Sequence, residues 1–221
     1  GDPETRIQED HLRILRAVRF KNAFGFQYHP SVYQAIKKHV KLIENISKER
    51  IADELNKMIM SNRPGQAFED LFEIGALEIL MPEMCKLKGL AQPLQYHKEG
   101  DVWDHAIRAL EALTDEDIDP DPLPAEPPSL ALKWATLMHD IGKYETFQQD
   151  NERIRYDKHA EVGSEIAKNI LTRFNFPKKI VDRVYWLIRH HMMVMPLLEM
   201  PLGRRRHWFL QPGFEELLEV Y

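Results

Sequence analysis

Leu137-Met138-His139-Asp140-Ile141-Gly142-Lys143 decides the fold of this chain. An apolar run that begins at Leu130 ends on an adjacent His-Asp pair, and Gly-Lys follows at once. Neighbouring side chains on a helix diverge by about 100°, so the pair can share one cation only if it sits just beyond the helix end. Imidazole suits borderline transition metals, and a carboxylate offers two oxygens and so can reach two of them. The pair has company. His105 lies on a preceding amphipathic segment, and His159 and His190-His191 follow on later ones.

Working outward, helical periodicity dominates. Leu12, Leu15, Val18 and Phe20 are interleaved with Arg13, Arg16 and Arg19, which form a stripe along one side of a helix that starts at Glu9 and is ended by Gly25. A second helix runs from Pro30 to His39, with proline in its first turn. Ser47 is placed to cap a helix over 48–60, and Pro64 starts another that Gly75 breaks. Residues 85–100 carry scattered Gly and Pro without a clean period and are read as a connecting segment. Asp101 caps the next helix. Residues 114–129 are acidic and proline-rich and are read as a mobile loop inside the second unit. Helices follow over 130–139, 159–173, 177–190 and from Gly213 on, with one short hairpin near 149–156. The expectation is an all-α fold with at most one β-hairpin.

Composition narrows the function. The chain has 221 residues, 43% of them hydrophobic, enough for a buried core. No apolar run is long enough for a membrane span, and no signal-peptide pattern opens the chain. Cys85 is the sole cysteine, which excludes an internal disulfide and points to a reducing cytoplasm. A net charge of −5 argues against a general coating of polyanions. Local basic clusters remain at Arg13–Lys21, Lys37-Lys38-Lys41, Lys178-Lys179 and Arg204-Arg205-Arg206.

His105, His139 and Asp140 together resemble the HD superfamily of metal-dependent phosphohydrolases. The resemblance implies an all-helical domain over 101–221 in which a first His, the His-Asp doublet and a later Asp hold a divalent metal. No Asp follows Asp182, which precedes the His-His pair on a surface face. The ligand set is thus either incomplete or completed by a residue beyond Tyr221. The same resemblance makes His159, His190 and His191 candidates for a second metal; Lys143, by its charge, is a candidate for neutralising a substrate phosphate, with a solvated lysine past a helix end as the alternative. The metal is Mg²⁺, Mn²⁺, Ni²⁺, Co²⁺ or Fe²⁺; the donor types do not choose among them.

A second resemblance lies in residues 1–84, read as neck and body. Glu9-Asp10-His11-Leu12-Arg13-Ile14-Leu15-Arg16-Ala17-Val18-Arg19-Phe20 looks like the neck motif of bacterial tRNA nucleotidyltransferases and poly(A) polymerases. Glu49-Arg50-Ile51-Ala52-Asp53-Glu54-Leu55-Asn56-Lys57 matches the motif that follows it, and the likeness continues through Pro82-Glu83-Met84 to the 97–104 lead-in of the HD site. The resemblance implies that Asp10 and Arg13 pair with the base of an incoming CTP or ATP. Arg16 would face the same pocket or the nucleotide phosphates. The partners it implies are tRNA and nucleotides. The Gly-rich, Asp-x-Asp catalytic palm of the family lies N-terminal to the neck, so the chain alone is not expected to transfer nucleotides. Two other readings stay open: an RNA-gripping helical scaffold with a silent HD pocket, and an independent HD nucleotide hydrolase. Oligomeric state is open as well. Trp208, Phe209, Leu210 and Phe214 are assigned to the core in preference to a dimer contact.

Overall fold

In the computed structural model the described residues are 1–92, 100–114, 127–150 and 153–220. The acidic segment 115–126, with the loop expected there, and His97 and Lys98, which read from the sequence as a surface loop ahead of the first ligand helix in preference to the mouth of the site, lie outside them. Among the described residues the chain is helical apart from one antiparallel hairpin, β1 (Gln148–Asp150) with β2 (Arg153–Arg155), in which Gln149 faces Ile154. The α-helices are α1 (Pro3–Glu9), α2 (Arg13–Phe24), α3 (Pro30–His39), α4 (Lys48–Ile59), α5 (Pro64–Glu73), α6 (Ala76–Leu80), α7 (Pro82–Cys85), α8 (Val102–Ala112), α9 (Leu130–Met138), α10 (Lys143–Thr146), α11 (His159–Arg173), α12 (Lys178–His190), α13 (Leu202–Phe209) and α14 (Phe214–Val220).

Local chemistry sets these boundaries. Asp101 and Ser129 accept the backbone N–H groups of Asp104 (2.8 Å) and Leu132 (3.1 Å) and so cap α8 and α9. Ser47 holds the N-cap position of α4 without a side-chain cap bond. The N-terminus departs from expectation. Glu9 does not start a helix; it ends α1, which is capped by Asp2 and opened by Pro3. Asp10 is extended (φ −151°), and its carboxylate accepts the N–H of Leu12, which turns the chain before α2 begins at Arg13.

The helix that carries the His-Asp pair is the central spoke. Every residue of α9 from Ala131 to Met138 is buried, which fits a mostly apolar helix; Lys133 and Thr136 are its polar members, and burial pushes the Lys133 ammonium below the usual lysine range. It packs on α4, α8, α12 and α14. Trp134 stands at the middle, edge-on to Phe68 of α5 and to Phe176, while its ring N–H donates to Asn56 of α4 at 2.9 Å. The core therefore runs without interruption from the first helices into the last.

Beneath α2 lies a buried polar anchor. Asp70 of α5 accepts from Lys21 at 2.7 Å and from Asn22 at 2.6 Å, and Arg19 donates to buried Glu54 of α4 at 2.7 Å. Buried charges persist only when paired in this way. Near the C-terminus Phe214 is buried and Trp208 half-buried, but Phe209 and Leu210 are exposed. The core assignment fails for those two, because α13 lies over the surface with no buried residue of its own.

Candidate metal centre

The end of α9 delivers His139 and Asp140 to the centre of the fold, and three other helices bring the remaining donors. His105 comes from α8, His159 opens α11, and His191 stands just past the end of α12. The donor atoms form two groups that share one carboxylate: His105, His139 and Asp140, and Asp140, His159 and His191. In the first, the Nε2 atoms of His105 and His139 are 3.2 Å apart, and they lie 3.8 Å and 3.2 Å from Asp140 Oδ2. In the second, the Nε2 atoms of His159 and His191 are 3.2 Å apart, with Asp140 Oδ1 at 3.4 Å from His159. Each carboxylate oxygen thus serves one group.

The rings are held from behind. Nδ1 of His139 lies 2.8 Å from the Thr136 carbonyl, Nδ1 of His159 2.8 Å from that of Tyr156, and Nδ1 of His191 2.7 Å from that of Ile188. A carbonyl can only accept, so in all three rings Nδ1 carries a proton and Nε2 is the atom that faces inward, the orientation found in metal-bound histidine. Burial pushes His159 below the usual histidine range, against the pull of Asp140. Burial and the neighbouring His139 push His191 down to about 3. Two neutral rings whose lone pairs face each other at 3.2 Å have no proton to share, and a cation between them resolves the conflict.

Asp140 makes the same case. Burial pushes its carboxyl up, but His139, Lys143 and His159 outweigh that and hold it well below the usual carboxylate range. Lys143 Nζ stands 2.7 Å from Oδ2, yet Oδ2 receives no hydrogen bond of acceptable geometry. The ion pair is real in charge, but the oxygen still lacks a donor, as a metal-binding oxygen would. Lys143 donates instead to Gln92 Oε1 at 2.9 Å. The donor set fits one or two divalent ions.

Of the residues singled out from the sequence, His105, His139, Asp140, Lys143, His159 and His191 converge. His190 does not: its ring packs on Trp186 and Trp208, away from the centre. The helical register held the answer. Val184, Leu187 and Ile188 share the buried face of α12, and buried His191 continues that face just past the helix end, whereas His190 sits one turn above Trp186. Gln92 and the three carbonyls carried no sequence signal. The helix packing that holds His159 to the His-Asp turn also escaped the sequence: Gly142 meets Gly163 and the His159 carbonyl so closely that no side chain fits.

The neck residues lie apart from this centre. Asp10 accepts from Arg50 at 3.0 Å, and Arg13 donates to Glu9 and to the Arg6 carbonyl, each at 2.7 Å. Although three residues apart, Asp10 and Arg13 are thus held by different partners. Arg16 is exposed.

This helical scaffold, with its His-Asp turn and converging histidines, is that of an HD domain, and residues 102–206 match the family model of that name. Residues 25–88 match a second model, described as "Probable RNA and SrmB- binding site of polymerase A". Among curated relatives, the CC-adding tRNA nucleotidyltransferase of Thermus thermophilus is 34% identical over 200 residues, 87% of this chain and 44% of the relative. The A-adding tRNA nucleotidyltransferase of Deinococcus radiodurans is 32% identical over the same shares. The Multifunctional CCA protein of Alkalilimnicola ehrlichii is 29% identical over 87% of this chain and 45% of its own length. The chain belongs to the family of CCA-adding enzymes and poly(A) polymerases, in the arrangement that joins a neck to an HD domain. It spans about half the length of the curated relatives it matches. Among the described residues no helix is long and apolar enough to cross a membrane.

Proposed function

We propose that the chain is part of a tRNA nucleotidyltransferase and that its HD centre hydrolyses phosphoesters such as 2′,3′-cyclic or 2′-phosphates. The observation that carries the hydrolase reading is the pair of three-residue groups joined through Asp140. His105, His139 and Asp140 would hold one ion, and Asp140, His159 and His191 a second. When bound, such ions activate water and polarise a phosphoryl oxygen. The protein's own part is positional. Three carbonyls keep the imidazole Nε2 atoms aimed inward, and Lys143 brings a positive charge to where a phosphate would sit. The side chain of His105 is 23% exposed against 2% for Asp140, so the ester enters from the His105 side.

In the whole protein, CMP and AMP from CTP and ATP would be added to tRNA 3′ ends. Arg13 would offer a fork of donors to the base. Asp10, which Leu12 and Arg50 keep ionised against its partial burial, would offer acceptors. Arg16 would meet the phosphates. Basic residues such as Lys37, Lys38, Lys178, Lys179 and Arg204 to Arg206 would grip tRNA phosphates. The hydrolase reading is tested by assaying cyclic-phosphate hydrolysis in the double variant His139→Ala, Asp140→Ala after metal loading. Loss of activity together with bound metal is expected; unchanged hydrolysis defeats the assignment.

A further inference from the structure

Three phenylalanines stand on the outside of the neck where α2 ends. Phe20 is 36% exposed, and Phe24 and Phe26 are 60% exposed each. They form a continuous row. Phe20 and Phe24 stack with centroids 5.9 Å apart and planes 15° from parallel, and Phe24 and Phe26 follow at 5.5 Å. Phenylalanine is among the residues most often buried, and a contiguous exposed cluster calls for an occupant.

The backbone builds this row deliberately. Gly25 adopts φ +66°, and the N–H of Phe26 then returns to the Lys21 carbonyl at 2.8 Å. That turn lays Phe26 beside Phe24 instead of sending it away. The platform is stiff, because the same helix is pinned from below by Lys21 and Asn22 on Asp70 and by Arg19 on Glu54.

Charge says what the row is for. The Arg19 guanidinium lies 4.2 Å and that of Arg16 5.8 Å from the Phe20 ring centre. Arg63 approaches the Gly25 turn. Among the described residues neither Arg16 nor Arg63 has an acidic partner, so one cation at the Phe20 ring and another at the turn between Phe24 and Phe26 stand uncompensated. A hydrophobic protein partner would not require them. Flat aromatic faces bordered by guanidinium groups match a strand of unpaired nucleotides, whose bases stack and whose phosphates are anionic.

We propose that Phe20, Phe24 and Phe26, with Arg16 and Arg63, form a stacking platform for single-stranded RNA. This rests on the reading of the chain as RNA-binding, and it places unpaired nucleotides on the same helix that begins at Arg13. The test uses the chain with a twelve-nucleotide single-stranded RNA carrying 2-aminopurine, followed by anisotropy and by quenching of the base fluorescence. Wild type should bind and quench. Phe24→Ala and Phe26→Ala should each weaken binding about tenfold or more and relieve the quench. Phe24→Leu should resemble Phe24→Ala, because leucine keeps apolar area but offers no ring. Arg63→Ala should lower the salt dependence of binding. Both phenylalanines are exposed, so these variants are expected to keep the wild-type melting temperature. If wild type binds and the double variant Phe24→Ala, Phe26→Ala binds and quenches equally well, the platform is refuted while RNA binding stands. If wild type does not bind the RNA, both fail. If the row instead joins two copies of the chain, sedimentation will show a wild-type dimer that the double variant dissolves, which also overturns the proposal.

Discussion

Replacing Gly142 by alanine puts the metal centre to a direct test. A Cβ on Gly142 would sit 2.5 Å from the backbone nitrogen of Gly163 and 3.0 Å from its Cα, and closer still to the His159 carbonyl. Comfortable carbon contacts need about 3.5 Å, so α11 must retreat by about 1 Å. No flexible side chain can yield, because every obstructing atom is backbone. His159 opens α11, and its Nε2 is 3.4 Å from Asp140 Oδ1, so the retreat falls directly on the second metal group. The first group has no residue on α11 and should survive. Overpacking of this kind costs about 1–3 kcal/mol, and the upper end applies here. For a chain of this size that lowers the melting temperature by roughly 6–12 °C. Metal content after dialysis should fall from two equivalents to one. Gly163→Ala should be milder, since its Cβ would meet Gly142 nitrogen at 3.0 Å and needs only a small adjustment. A Gly142→Ala protein that keeps two equivalents and melts within about a degree of wild type would refute the reasoning.

Three further outcomes are expected. Asp140→Ala should remove both ions, while His191→Ala removes one, read by metal analysis of the dialysed proteins; equal losses would mean that the carboxylate is not shared. Asp70→Ala strands the half-buried Lys21 ammonium and the buried Asn22 amide and should cost about 3 kcal/mol in urea unfolding, far more than loss of the exposed Lys57–Asp53 pair. Burial pushes the Glu83 carboxyl up, but Arg173, a backbone N–H and Lys86 together outweigh it and hold the group below the ordinary glutamate pKa. A lowered folded pKa stabilises above the unfolded value of about 4.3 and loses that gain as pH falls below it. Glu83→Gln should therefore cost about 0.5–1 kcal/mol at pH 7 in denaturant titrations, discounted for partial exposure, and almost nothing near pH 3.

The His-Asp doublet was legible because residue type and position coincide there: two donor side chains at the end of a mostly apolar, buried helix leave few other uses. Helix identities were legible for the same periodic reason, and Pro30, Pro64 and Gly25 marked ends that the structure keeps. What escaped the sequence depends on atoms distant in the chain. Nothing local makes Gln92 the acceptor for Lys143 or sets Trp134 between Phe68 and Phe176. The break at Asp10 was hidden because a helical stripe of arginines resumes immediately after it. The exposed row at Phe24 and Phe26 is invisible to periodicity, since a glycine in left-handed conformation, and not a helix, brings the two rings together.

Trp134 has one more consequence. Because a single indole is wedged between rings supplied by early and late stretches of the chain, the two halves are not interchangeable cassettes. A chimera that grafts a relative's HD half onto this neck would inherit a mismatched keyhole unless the Phe68 and Asn56 side of the socket travels with it. Sequence drift on one side of that seam must be answered on the other.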